Sequence, residues 1–78
     1  MIEIRTDVIA LKKRMVEKYL DRISDLSKAS GINCTTLRSV VFGRSQPSSE
    51  VIKKLVNALD IRPEEVVEIF FNQNLRNM

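Results

Sequence analysis

The sequence predicts an all-α domain of five short helices around one core. Three observations carry that reading. Apolar residues recur at three-and-four spacing in five separate stretches, helix-starting and helix-stopping residues bound those stretches, and the connections between them are short. The exception is the start of the chain. Ile2 and Ile4 alternate with Glu3 and Arg5, so residues 1–6 read as an N-terminal arm, extended but too brief for a sheet.

Helix 1 is expected over residues 7–19, with Thr6 as its N-cap, Asp7 in the first turn, and Val8, Leu11, Met15, Val16, Tyr19 and Leu20 at helical spacing. Lys12, Lys13, Arg14 and Lys18 then fall on its outward side, either as a plain solvated face or as a phosphate-contacting cluster. Asp21 can cap a second helix that contains Ile23, Leu26, Ser27 and Ala29 and stops at Ser30, because Gly31 follows. A small residue at Ser27 suits a point where two helix backbones cross closely.

Asn33 is a good N-cap and Gly43 a good stop for a third helix, the stretch around which the chain is organised. Leu37, Val40 and Val41 share one stripe, so Cys34, Thr35, Arg38 and Ser39 are expected to face outward. That outer face is small and polar, with one cation. A short polar helix introduced by a glycine corner is the second element of a helix-turn-helix, the type laid in the major groove of DNA. Ser45, Gln46 and Pro47 make a turn, and Ser48 caps a fourth helix that buries Val51, Ile52, Leu55, Val56 and Leu59 while Lys53, Lys54 and Asn57 face out. Pro63 after Arg62 opens a fifth, with Glu64 and Glu65 at the positive end of its dipole and Val66, Val67, Ile69, Phe70 and Phe71 as its apolar set. Residues 72–78 are expected to fray.

Composition narrows the class. With 78 residues, one cysteine and no histidine, the chain is one domain that must hold its core by helix packing, since neither an internal disulfide nor a zinc-type cluster is available. No metal or cofactor is expected. No run approaches the ~18 apolar residues of a membrane span, and the first five residues carry both acid and base, unlike a signal peptide, so a soluble cytoplasmic protein is expected, with no membrane partner. The net charge of +3 is unevenly placed. Residues 1–44 hold nine Lys/Arg against five Asp/Glu, whereas residues 45–78 hold four against five, so the basic excess lies in the half with the third helix.

These residues carry a resemblance. Ser27, Gly31, Ile32, Leu37, Gly43, Pro47 and Ser48 stand at the offsets that recur in Cro/cI-type (XRE-like) helix-turn-helix domains, and the match runs without a gap over residues 26–59. The chain thus resembles the lambda-repressor-like five-helix fold, with helices 2 and 3 as the helix-turn-helix. The resemblance implies that a recognition helix at about residues 34–42 enters the major groove of double-stranded DNA, with Cys34, Thr35, Arg38 and Ser39 at base-reading positions. Arg38 is the strongest of these, because its fork can bond two guanine acceptors at once. Asn33, Thr36, Arg44 and Ser45 correspond to positions near the DNA backbone. Each also has a simpler role: Asn33 as a cap alone, Thr36 as a half-buried helix residue, Arg44 as a solvated cation. Cys34 has no base or metal partner that would give it redox chemistry.

Some positions depart from the pattern. Ile23 replaces a common glutamine that opens helix 2, and Phe42 replaces a common asparagine before Gly43. Val16 and Val41 align with a buried Arg and Glu pair of many relatives and can pack together instead. Ile23 and Phe42 either extend the core or form an apolar patch.

Two functions compete. The first is a sequence-specific transcriptional regulator of phage, prophage or mobile-element type, acting as a homodimer on a two-fold operator. Ile69, Phe70 and Phe71 either supply the dimer contact or close the core. The second is a small antirepressor or modulator that binds a partner repressor protein through Ile23, Val40, Val41 and Phe42. An enzyme is not expected: the chain lacks histidine and a glycine-rich phosphate cradle, and Glu64 and Glu65 sit where helix-start acids sit.

Overall fold

A computed structural model describes residues 5–72 and shows helices α1 (Val8–Glu17), α2 (Ile23–Ser30), α3 (Cys34–Val41), α4 (Ser49–Leu59) and α5 (Pro63–Phe70). The caps follow local chemistry. The Asn33 side chain accepts from the Thr35 amide at 2.7 Å and Ser48 Oγ from the Val51 amide at 3.3 Å, each satisfying an amide that its helix cannot. Pro63 occupies the first turn of α5, and the Glu65 carboxylate reaches back to accept from the Arg62 amide at 3.2 Å.

Two caps differ from the expectation by one residue. Asp7, not Thr6, caps α1, its carboxylate accepting from the Ala10 amide at 3.1 Å. Thr6 is buried instead, and its hydroxyl donates to Gln46 Oε1 at 3.0 Å. Gln46 in turn donates to the Phe70 carbonyl, so one amide side chain joins the start of the chain, the α3–α4 turn and the end of α5. For α2 the capping position is Arg22, which makes no side-chain cap bond, because the helical ladder begins one residue past Asp21 with Leu26 bonded to the Arg22 carbonyl.

Helix α1 also ends earlier than its apolar spacing suggests. Tyr19 sits in the left-handed region at φ 58°, its amide bonds the Val16 carbonyl, and the Leu20 amide bonds the Met15 carbonyl at 2.8 Å. This is the Schellman closure usually given to glycine, built here on tyrosine. It turns Leu20 back against the core and leaves Val16 and Tyr19 outside, 60% and 89% exposed, so neither belongs to the buried stripe. Val16 therefore does not form an interior pair with Val41, which is buried.

The core is formed by Leu11 and Met15 of α1, Leu26 of α2, Leu37, Val40 and Val41 of α3, Ile52, Leu55 and Leu59 of α4, and Ile69 and Phe70 of α5, with Ile32 and Ile61 from connections. α2 packs on α3 and α4, and α1 on α3 and α5. Arg5 and Asn72 form an antiparallel bridge, with amide–carbonyl bonds of 3.2 and 3.0 Å. Asn72, the first residue of the expected tail, is thus held; residues 1–4 of the arm and 73–78 of the tail lie outside the described residues.

Candidate nucleic-acid interface

The corner between α2 and α3 is fixed by three short bonds. Gly31 stands at φ 77°, where a Cβ would be strained, and its amide bonds the Ser27 carbonyl at 2.8 Å. Ser27 Oγ donates to the Ile32 carbonyl at 2.5 Å across the turn, and Ser30 Oγ accepts from the Ile32 amide at 3.2 Å. The small side chain expected at Ser27 therefore does more than permit a close crossing: its hydroxyl satisfies a turn carbonyl that the neighbouring helices do not.

Leu37, Val40 and Val41 anchor α3 beneath the surface, and its opposite face points out. Thr35, Thr36 and Arg38 are exposed, while Cys34 and Ser39 are half-buried. Cys34 lies three residues before Leu37 and seven before Val41, so it falls at the edge of the buried stripe, not on the outer face. Ser39 is drawn in by the following turn, its carbonyl accepting from the amides of Arg44 at 2.8 Å and Ser45 at 3.3 Å. Asn33, Arg44 and Ser45 are exposed at the two ends of α3. Among the described residues no carboxylate pairs with Arg38 or Arg44.

The proposed protein-binding set does not survive as a surface. Val40, Val41, Ile69 and Phe70 are at most 4% exposed, because each lies on the core stripe of its helix, and they cannot meet a partner without unfolding. Ile23 is half-buried and packed against the core. Phe42 and Phe71 remain at 55% and 40% exposure, so the two alternatives for the apolar set divide residue by residue.

Two features of the surface have no signal in the spacing. Lys12 Nζ lies 5.3 Å from the centre of the Phe42 ring, a cation–π contact between α1 and the end of α3. Arg14 does not face outward with the other α1 cations. Its guanidinium bonds Glu17 Oε1 and the Asp60 carbonyl, each at 3.1 Å, and pairs with Glu65, while Lys18 reaches Asp60 Oδ2 at 3.4 Å. Arg14 is a tie between α1, the end of α4 and α5.

A short, polar, cation-bearing helix propped on a second helix at a glycine corner defines a helix-turn-helix domain. The chain belongs to the Cro/C1-type HTH DNA-binding domain family, whose match covers residues 10–72. Comparison with curated proteins and with solved structures returned no match. The protein is accordingly a DNA-binding regulator of a family of generally non-enzymatic domains. Among the described residues no helix is long and apolar enough to cross a membrane.

Proposed function

We propose that the protein is a sequence-specific transcriptional regulator of phage, prophage or mobile-element type, binding in the cytoplasm as a homodimer to a two-fold operator. One observation carries this reading: the outer face of α3 presents Thr35 and Arg38 to solvent, and the cation there has no carboxylate beside it among the described residues. Arg38 bonds guanine O6 and N7 from the major groove, and Thr35 exchanges a hydrogen bond or sets its methyl against thymine. Cys34 and Ser39, at the rim of the face, reach bases only with their terminal atoms. Asn33, Thr36, Arg44 and Ser45 hold phosphates and fix the register. A single helix reads few base pairs, so two copies share the operator. Val67 and Phe71, four apart and both exposed on the outer side of α5, form the contact between them, in place of the buried Ile69 and Phe70.

The test is titration of purified protein against duplex DNA from beside its own gene at several salt concentrations. The expected result is a marked preference over scrambled duplex, with the logarithm of affinity falling by about 0.9 per phosphate contacted for each tenfold rise in salt. Affinity that ignores sequence, or a flat salt response, contradicts the proposal.

A further inference from the structure

The described end of α3 carries a side chain, Phe42, to which the proposed regulator function assigns no role. The Phe42 amide still bonds the Arg38 carbonyl at 3.0 Å in helical register, so Phe42 stands four residues past Arg38 and seven past Thr35, on the same face of the same helix. Phe42 is 55% exposed although it caps a helix whose other large apolar side chains are buried. The chain turns away after it, since Gly43 adopts φ 72° and packs beside Val8, where a Cβ would lie 3.6 Å from the Val8 methyl. Phe42 is therefore the last outward group of the helix. The surroundings are cationic: Lys12 lies over the ring, Arg38 is one turn back and Arg44 two residues on, and the described ion pairs involve none of the three.

An apolar edge framed by cations that no carboxylate pairs among the described residues matches a polyanion that displays an apolar spot. Duplex DNA has one such spot in the major groove, the C5 methyl of thymine, and phenylalanine is among the side chains able to contact it. We propose that Phe42 is a specificity-determining residue that reads a thymine methyl at one edge of each half-site, with the Lys12 ammonium on its ring turned toward the adjoining phosphate. The inference rests on the reading that α3 enters the major groove. Lys12 adds affinity without sequence information, and Phe42 adds the discrimination.

The experiment begins by selecting a preferred duplex from a random pool with the full chain. Each thymine of that duplex is then replaced by uracil, which removes only the methyl group. The wild-type protein is expected to lose about fourfold in affinity at one thymine per half-site, the equivalent of one buried methyl, and to tolerate uracil there no better in high salt. Phe42→Ala is expected to bind the thymine and uracil duplexes equally, while Phe42→Leu, which keeps an apolar side chain at that point, retains a difference of about twofold. Circular dichroism establishes that both variants fold, as a half-exposed ring permits. An enriched sequence in which every uracil is tolerated, or a Phe42→Ala protein with the wild-type uracil response, overturns this inference alone. A pool that yields no preferred sequence overturns the reading on which it rests as well.

Discussion

In the seam between α1 and α5, Arg14 and Lys18 are neutralised by Glu17, Asp60 and Glu65, whereas along α3 Arg38 and Arg44 stand exposed with no carboxylate beside them among the described residues. Both regions are rich in cations, and the same chain treats them differently. Where a positive charge ties elements together, the protein supplies the counter-charge itself, from Glu17 of α1, the α4 cap Asp60 and Glu65 of α5. Where it is left open, water and mobile ions balance the charge, and it stays available to the phosphates of a DNA ligand. The two corners differ in the same way. The α2–α3 turn is held by neutral hydroxyl and amide bonds of Ser27, Ser30 and Gly31, and the α1–α5 seam by ions.

The largest effect breaks both regions together. Leu37 is fully buried beneath the outer face of α3, so Leu37→Ala is expected to remove ~2–5 kcal/mol of stability in urea unfolding and to abolish DNA binding with it. Arg14→Ala separates the regions: removing the donor of Glu65 and of the solvent-accessible Asp60 carbonyl should cost about 1 kcal/mol in the same assay. Preference among DNA sequences should not change; if it did, the seam and the outer face of α3 would not be independent. Tyr19→Gly relieves a left-handed tyrosine at the end of α1 and is expected to raise stability by ~1 kcal/mol, seen as a higher Tm with unchanged DNA affinity. The smallest effect on folding is that of Val67→Glu, within ~0.5 kcal/mol because the side chain is exposed. Sedimentation is expected to show the variant as a monomer under conditions where the wild type is a dimer.

The sequence makes the helices legible because their signals are local. Gly31, Asn33, Ser48 and Pro63 each start or stop a helix by chemistry confined to a few residues, and each does so where expected. The outward placement of Thr35 and Arg38 follows from the same spacing that buries Leu37 and Val41. What the spacing hides depends on contacts far apart in the chain. Thr6 and Asp7 are both able to cap, and the choice between them is made by Gln46, 40 residues from Thr6, which claims the threonine hydroxyl. Val16 fits an apolar stripe only if the helix continues, and a left-handed Tyr19 has no signature in composition. Arg14 reads as one more surface cation until the approach of α5 brings Glu65 to it, and the partnership of Lys12 with Phe42 arises only from the packing of α1 on α3.

The most direct test measures Arg38→Ala on the preferred duplex and on its full set of single base-pair variants. The variant is expected to lose ~1–3 kcal/mol of discrimination at one guanine-containing pair and to keep the wild-type order of preference everywhere else. A loss of affinity that is uniform over all duplexes, or no loss at all, would contradict the claim that the outer face of α3 reads the sequence.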